Sequence, residues 1–339
     1  MLDIKFIREN KDLIKEAARK KRVKVDIDRL LAVDEKRREL ISEVDALRQE
    51  HKKFTEASEE AKISKDKLSH KEFELGAVES EFDELMLQVP NVPDPSVPEG
   101  ETDAENQEIR KWGEIRVEHG KNYLNLMQAG DMLDLERGVK VSGFRGYFLK
   151  NDAALLSIAL WQFTLDFLVK KGFTPFLAPA LVKRENLVGT GWVGEDIYKT
   201  QDDLYLSGTA EVPTMGYHAG EILKEEELPK KYVAFSPCFR REAGSYGKDE
   251  KGIFRVHEFF KVEQVVLCRA DHQESVKWHE ELTRNSEEIM QMLEIPYRVV
   301  ANCGGDLGLG QVKKYDIETW IPSEKKYRET HSASYFHDF

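Results

Sequence analysis

Residues 237–264, PCFRREAGSYGKDEKGIFRVHEFFKVEQ, contain two runs of aromatic and β-branched residues on either side of a glycine-bearing loop. This pattern predicts two antiparallel strands joined by the loop. Because side chains two residues apart point to the same face of a strand, we expect Arg240 and Glu242 to share a face of the first strand. A common face of the second strand is expected to carry Arg255, Phe259 and Glu263.

The residue types on these two faces suit the binding of a nucleotide and an amine. A guanidinium group binds phosphate through two parallel hydrogen bonds, an aromatic ring stacks on a base, and a carboxylate holds an ammonium group. The same spacing also fits an antiparallel hairpin whose arginines and glutamates only form cross-strand salt bridges. Spacing alone does not decide between the two interpretations.

The first quarter of the chain is expected to be helical. Residues 1–89 contain no proline and a single glycine, Gly76, of the 22 glycines and 11 prolines in the chain. Two series at alternating steps of three and four predict two heptad seams, which would pair as an antiparallel hairpin of roughly 40 Å. The first seam comprises Leu30, Val33, Arg37, Leu40, Val44, Leu47, His51 and Phe54, and the second comprises Leu68, Lys71, Leu75, Val78, Phe82, Leu85 and Val89.

The polar stretch TEASEEAKISKD, residues 55–66, is expected to connect the two helices. Lysines near this tip would suit a polyanion, and they are Lys52, Lys53, Lys62, Lys65 and Lys67. Residues 1–24 add nine basic against four acidic side chains, a local charge of +5. A solvated helix face, a structural coiled coil and a partner-binding coiled coil remain alternatives to a nucleic-acid-binding arm.

The composition of the chain changes after the helical arm. The proline-rich segment 90–100, PNVPDPSVPEG, is expected to act as a stiff linker. Further on, Asp152 is predicted to cap an apolar helix that ends at Gly172 and is buried on several sides. The rest predicts an α+β domain with an antiparallel sheet and a helix at about 271–294. Its strands are expected at 202–208, 232–242, 258–268, 296–303 and 313–322.

Composition excludes several classes of protein. The 339 residues carry 63 acidic and 51 basic side chains, and this net charge of −12 argues against nonspecific coating of nucleic acid. Neither a membrane-spanning helix nor a secretory signal is predicted. Cys238, Cys268 and Cys303 fit no disulfide framework or metal site, which favours a cytoplasmic location. The segment GTGWVG, 189–194, lacks the helix that a dinucleotide-binding loop requires, so it is not predicted to be one.

The motifs, in their order, resemble those of bacterial-type seryl-tRNA synthetases, which are class II aminoacyl-tRNA synthetases. The helical hairpin is similar to that family's tRNA-binding arm, and GFTPFLAPALV, 172–182, to its motif 1. SGTAEVP, 207–213, resembles its serine-binding loop, and FRREAGSYG with FRVHEFFKVE resembles its motif 2. The resemblance implies an arm with its linker at 1–98 and a catalytic class II core at 99–339.

The resemblance also implies roles for individual residues. Serine would contact Thr209, Ala210 and Glu211, and Glu263 would hold its ammonium group. The catalytic arginines would be Arg240, on the α-phosphate of ATP, and Arg255, on the γ-phosphate. The ATP site as a whole would comprise Arg240, Arg241, Glu242, Val256, Phe259, Glu329, Thr330, His331 and Ser332, with Glu329 and Ser332 also at the Mg²⁺ position. Pro179 would lie at a dimer interface with the helix at 152–171.

The activity that the resemblance implies is serine–tRNA ligation. L-Serine would be activated by ATP, with Mg²⁺, to seryl-adenylate and then transferred to the 3′ end of tRNA(Ser), while tRNA(Sec) stays open as a second substrate. A cytoplasmic homodimer without membrane contact is implied. Because the family's chains continue beyond the position of Phe339 into motif 3, we expect the 339-residue polypeptide to be impaired in serine activation. The alternative is a catalytically inactive, synthetase-derived protein that binds tRNA or dimerises.

Overall fold

The computed structural model describes residues 1–54, 58–115, 120–192, 194, 196–243 and 252–337. Outside this set lie part of the polar turn, Val193 of the GTGWVG segment, most of the loop in the predicted hairpin, and Phe339. The helices are α1 (Ile4–Glu9), α2 (Lys11–Lys20), α3 (Ile27–His51), α4 (Glu59–Met86), α5 (Tyr123–Ala129), α6 (Leu135–Ser142), α7 (Asn151–Lys170), α8 (Arg184–Gly189), α9 (Glu211–Gly216) and α10 (His272–Met292). The strands are β1 (Gln107–Trp112), β2 (Leu133–Asp134), β3 (Phe148–Leu149), β4 (Thr174–Leu177), β5 (Leu181–Val182), β6 (Tyr198–Lys199), β7 (Tyr205–Leu206), β8 (Lys230–Phe239), β9 (Glu258–Leu267), β10 (Tyr297–Ala301), β11 (Lys313–Ile321) and β12 (Lys326–Tyr335).

Helices α3 and α4 form the predicted hairpin arm. Side-chain caps begin both helices, since Asp26 accepts a hydrogen bond from the N–H of Arg29 and Ser58 accepts one from the N–H of Ala61. The heptad seams are confirmed where they are buried, at Leu30, Val33, Leu40, Val44 and Phe82. Helices α1 and α2 pack their isoleucines against the base of this seam, so the arm is braced at one end only.

The basic N-terminal segment is used largely within the chain. Lys21 is 4% exposed, and its Nζ donates to the carbonyl oxygens of Leu309 at 2.8 Å and Gln311 at 2.5 Å. Arg22 forms an ion pair with Glu101. These contacts dock the base of the arm onto the α+β domain, so part of the local +5 charge serves this interface.

The proline-rich segment is a packed connection and does not act as a free spacer. Asn91 is buried, and its Nδ2 donates to the carbonyl oxygen of Gly310 at 2.8 Å. The N–H of Asp94 donates to the carbonyl oxygen of Val312 at 2.9 Å. The backbone N–H groups of Asn91 and Asp94, which have no helix or strand partner, are thereby satisfied by carbonyl oxygens of Leu309 and Val312.

The α+β prediction is confirmed, with two larger sheets in place of one and with two small sheets, β2-β3 and β5-β7-β6, beside them. One larger sheet has the order β1-β10-β11-β12 and is antiparallel throughout, and the other has the order β4-β8-β9, with β4 parallel to β8. Helix α10 spans both sheets, since Gln264 of β9 donates to the carbonyl oxygen of Leu282 at 3.2 Å and His279 donates to that of Ala333 in β12 at 2.9 Å. The helix therefore fixes the two sheets relative to each other.

Helix α7 differs from its prediction in two respects. It begins at Asn151 with Lys150 as N-cap, so Asp152 lies in the first turn, while Gly172 ends it as predicted with a φ of +83°. The expected burial on several sides is wrong within this chain, because only two of its residues are buried whereas Leu155 and Leu156 are 65% and 60% exposed. Its length and apolar composition would also allow it to cross a membrane, a property that it shares with core helices.

Candidate active site

A loop and one strand face build a polar pocket beside the three-stranded sheet. In β9, Phe259, Lys261 and Glu263 alternate onto one face. Their partners on β8 are the small side chains Cys238, Ser236 and Ala234, so the face stays open above the sheet. The loop 207–211 covers the Glu263 end of this face.

Thr209, Glu211 and Glu263 come together as predicted. Thr209 Oγ1 lies 2.5 and 2.6 Å from the two carboxylate oxygens of Glu263 and donates its proton to one of them. The backbone N–H of Glu211 donates to Glu263 Oε2 at 2.7 Å. Ala210 is fully buried and begins α9, which holds the loop in place. The Glu263 carboxylate is therefore rigidly held.

Lys261 belongs to this pocket and was missed by the sequence predictions. Its ammonium group forms an ion pair with Glu263, and its Nζ donates to Thr209 Oγ1 at 3.2 Å. The signal was present in the sequence, because Lys261 lies two residues from both Phe259 and Glu263 on a predicted strand. A basic side chain between an aromatic and an acidic one on the same face would have indicated it.

The two glutamates of the pocket differ in their protonation. Burial, together with the negative charge of Glu263, raises the pKa of Glu211 to about 7. Burial also acts to raise the pKa of Glu263, but the charge of Lys261 and the hydrogen bonds from Lys261 and Thr209 outweigh it, so this pKa lies below its usual value. One carboxylate is fixed as an anion, and the other takes up or releases a proton near neutral pH.

Arg240 and Glu242 do not lie on a strand face, so this part of the prediction is wrong. Strand β8 ends at Phe239, and Glu242 adopts a φ of +54°. The pairing ends because the N–H of Arg241, which is an exposed residue, donates to the carbonyl oxygen of Asp196 at 2.9 Å and not to β9. Arg240 nevertheless faces the pocket, with its guanidinium 5.3 Å from the centroid of the Phe259 ring.

Arg255 was also predicted to lie on a strand, and this is wrong. It lies before β9, and its Nη1 donates to Glu242 Oε2 at 2.5 Å. This is the salt bridge that the simpler hairpin interpretation predicts, and it coexists with the pocket. The neighbouring Val256 is buried. Arg255 and Glu242, which are both assigned to the outer part of the ATP site, thus pair with each other in this structure.

Strand β12 of the other sheet supplies the second group of predicted residues. Ser332 lies opposite Asp316, and Thr330 is the extra residue at an irregularity in the pairing with β11. Glu329 is an exposed residue, yet loss of water around its carboxylate and the charge of Asp316 raise its pKa to about 7. Burial lowers the pKa of His331 to about 4.

The charge of Arg240 links the two groups of residues. Its positive charge opposes the raised pKa of both Glu211 and Glu329, so the guanidinium is close enough to act on a carboxyl group of each set. The described residues hold no cluster of three or more histidine, cysteine, aspartate or glutamate side chains suited to bind a metal ion alone. Glu329 and Ser332 offer hard oxygen atoms, which suits Mg²⁺ shared with phosphate groups.

Comparison with known proteins agrees with this geometry. Residues 1–93 match the seryl-tRNA synthetase N-terminal domain, and residues 195–339 match the tRNA synthetase class II core domain (G, H, P, S and T). All of the chain aligns with 84% of the serine–tRNA ligase of Deinococcus radiodurans at 47% identity.

Two solved structures are similar over nearly the whole chain. The seryl-tRNA synthetase from Pyrococcus horikoshii complexed with ATP matches with a TM-score of 0.88 and 39% identity, over 100% of this chain and 85% of that one. The cytoplasmic serine–tRNA ligase from Naegleria fowleri in complex with AMP matches with a TM-score of 0.86 and 32% identity, over 98% and 82%. From its arm to its pocket, the chain therefore belongs to the seryl-tRNA synthetase family of class II aminoacyl-tRNA synthetases.

Proposed function

We propose that this chain is a serine–tRNA ligase that activates L-serine with ATP and transfers it to tRNA(Ser). The observation that carries the proposal is the pocket formed by Thr209, Glu211, Lys261 and Glu263. Its buried carboxylates suit the ammonium group of an amino acid, because a buried anion needs a partner charge. Two relatives that align with the whole of this chain are both named serine–tRNA ligase.

Each pocket residue has a part in serine binding. Glu263 and Glu211 flank the ammonium group, and Lys261 keeps the summed charge low before serine arrives. The Thr209 hydroxyl and the carboxylates supply partners for the serine hydroxyl. Alanine leaves those partners unpaired, which is the basis on which a polar site rejects the smaller substrate.

Arg240 and Phe259 form the ATP side of the pocket. Phe259 offers its ring to adenine, and Arg240 offers N–H donors to the α-phosphate, where the serine carboxylate attacks. Arg255 would leave Glu242 for the γ-phosphate, which frees Glu242 for the adenine edge. No enzyme nucleophile is required, because orientation and charge stabilisation drive the reaction. Mg²⁺, held by Glu329 and Ser332 together with the phosphates, would neutralise part of their charge.

The arm is proposed to bind tRNA through its tip. Along its length, cations of one helix pair with glutamates of the other, as in Arg48 with Glu72 and Lys71 with Glu43. At the tip, Lys62 pairs with Glu59. Within the described part of the chain, no ion pair is formed by the exposed tip lysines Lys52, Lys53, Lys65 and Lys67. Charges free to meet phosphate are thus concentrated at the far end of the arm.

Removal of residues 30–85 tests this role of the arm. We expect the shortened protein to lose tRNA affinity while serine and ATP binding are preserved. Unchanged tRNA affinity would mean that the arm is purely structural. Parallel titrations with tRNA(Ser) and tRNA(Sec) decide whether the second tRNA is also a partner.

A homodimer is proposed from the exposed apolar surface of α7 and β4. Leu155 and Ile158 of α7 are 65% and 57% exposed, Leu177 at the end of β4 is 86% exposed, and Pro179 is exposed beside it. An apolar surface of this kind marks an interface. Sedimentation should show a dimer that Leu155→Asp dissociates. A monomeric wild-type protein would contradict the proposal. Recovery in the membrane fraction would instead favour α7 as a membrane-spanning helix.

Serine-dependent ATP–pyrophosphate exchange and charging of tRNA(Ser) test the function itself. We expect the rate of each reaction with serine to exceed the rate with alanine. Binding of tRNA without any adenylate formation, even in a longer form of the chain, would favour the catalytically inactive alternative. The proposed division into an arm at 1–98 and a core at 99–339 is tested by limited proteolysis near the boundary. A cytoplasmic location stays a prediction.

A further inference from the structure

Arg240 lies between two aromatic rings. Its guanidinium carbon is 5.2 Å from the centroid of the Trp192 ring and 5.3 Å from that of the Phe259 ring. These distances are typical of cation–π contacts. Its Nε donates to the carbonyl oxygen of Gly208 at 3.3 Å. Among the residues that the structure describes, none accepts a hydrogen bond from its two terminal nitrogens.

The neighbouring arginine shows why this arrangement matters. The Nη1 of Arg255 is occupied by the carboxylate of Glu242 at 2.5 Å. A carboxylate fixes a guanidinium by using its N–H donors, whereas aromatic faces fix it and leave those donors free. Arg240 is therefore positioned without losing the groups that would bind phosphate.

The position of Trp192 is itself well determined. The backbone N–H of Trp192 donates to the carbonyl oxygen of Leu187 at 2.9 Å. The Trp192 ring packs against the cluster that contains Leu187 and Val212. A Cβ atom at Gly208 would lie 3.0 Å from the Trp192 ring and 3.3 Å from Arg240 Cγ. Glycine at this position gives the indole and the arginine the space to lie side by side.

The backbone of Arg240 is fixed separately. Its N–H donates to the carbonyl oxygen of His257 at 3.0 Å, and His257 Nδ1 donates to the carbonyl oxygen of Arg240 at 3.0 Å. Because the main chain is held by these bonds, the two rings and Gly208 determine where the guanidinium lies. If adenine stacks on Phe259, Trp192 is the ring that remains beside Arg240.

We propose that Trp192 is a positioning residue for ATP binding, which holds the Arg240 guanidinium at the α-phosphate while leaving its terminal N–H groups free. The inference rests on the proposed function, in which Arg240 binds the α-phosphate. The variant Trp192→Leu removes the ring, and we expect it to raise the Kd for ATP about tenfold, in line with one lost cation–π contact. Trp192→Phe keeps a ring and should bind ATP nearly as tightly as the wild type.

Calorimetric titration with ATP in the presence of Mg²⁺ measures these affinities, and titration with serine is the control for folding of the pocket. A positioning role predicts an unchanged Kd for serine. It also predicts that Trp192→Leu has no further effect on ATP binding when Arg240 is already alanine. If the leucine variant does not fold, Trp192→Met serves in its place. Phe82→Leu, which removes the arm contact of Arg37 at 4.8 Å, should leave ATP binding unchanged.

The outcomes separate the inference from the proposed function. Wild-type ATP affinity in Trp192→Leu, or an equal loss in the Arg240→Ala background, would overturn the role of Trp192 alone. Wild-type ATP affinity in Arg240→Ala would overturn the assignment of Arg240, and with it the ATP site on which the proposed function depends.

Discussion

Two lysine–glutamate pairs, one in the pocket and one on the arm, have equally exposed lysines but glutamates in different environments. The side chains of Lys261 and Lys71 are 31% and 32% exposed, but their partners Glu263 and Glu43 are 17% and 52% exposed. Glu263 also accepts hydrogen bonds from Thr209 and from the backbone, whereas Glu43 lies on the arm surface. The two pairs therefore differ mainly in the burial and hydrogen bonding of the glutamate.

This comparison shows how burial changes the role of a charge. An exposed pair gains little because water and salt screen it, and breaking it costs little. A buried carboxylate held by fixed donors cannot recover water when its partner is removed, so it stays ready for a cation. The pocket thus suits the binding of an ammonium group, whereas each exposed arm pair adds little to stability.

The largest expected effect comes from Glu263→Gln. It removes the fixed anion and leaves Lys261 without its partner, so we expect serine affinity to fall by about 100-fold to 1,000-fold. Glu43→Gln is the matched control, because it removes the same charge from the arm pair. Calorimetry with serine measures both variants, and equal affinities in the two would refute the distinction between the pairs.

A smaller effect is expected when the tip lysines are replaced together by glutamine. With Lys52, Lys53, Lys65 and Lys67 all changed, affinity for tRNA(Ser) should fall by about 10-fold to 100-fold. The slope of log affinity against log salt concentration should fall by up to about 3.6, because each of four lost phosphate contacts contributes about 0.9. Filter binding over a salt series measures this slope, with Arg48→Gln as a control at a paired position. A slope that does not change would place the tRNA contacts elsewhere.

The pH dependence of serine binding should follow Glu211. Because burial raises its pKa to about 7, the carboxyl group is neutral below that pH and anionic above it. Serine affinity should therefore rise with pH through about 7, by up to tenfold per unit below it. Titration in buffers of different ionisation enthalpy should show proton release on binding. Glu211→Gln should abolish both effects, and a pH-independent wild type would contradict the assignment.

The smallest effect is expected for the arm pair itself. Glu43→Gln should leave the melting temperature unchanged within about one degree, since an exposed ion pair adds little to stability. Thermal unfolding followed by circular dichroism measures it. A marked destabilisation would show that the arm pairs act together as a network.

Periodicity predicted the regular parts of the molecule well. The seams at Leu30 and Phe82 and the strands β8 and β9 were readable because burial on one face imposes a fixed spacing. The family resemblance, not spacing, assigned roles to Thr209, which lies in the loop 207–211, and to Glu329, which lies in β12.

Other features were beyond the reach of spacing. Strand β8 ends before Arg240 because the N–H of Arg241 donates to the carbonyl oxygen of Asp196, which is distant in sequence. The surroundings of Trp192 and Lys21 likewise depend on tertiary contacts.

The claim that the pocket selects serine is tested most directly by titration with a nonhydrolysable seryl-adenylate analogue and its alanyl counterpart. The account predicts one bound analogue per chain, with the seryl form held at least about 100-fold more tightly, because only serine satisfies the buried polar groups. Equal affinity for the two analogues would contradict it.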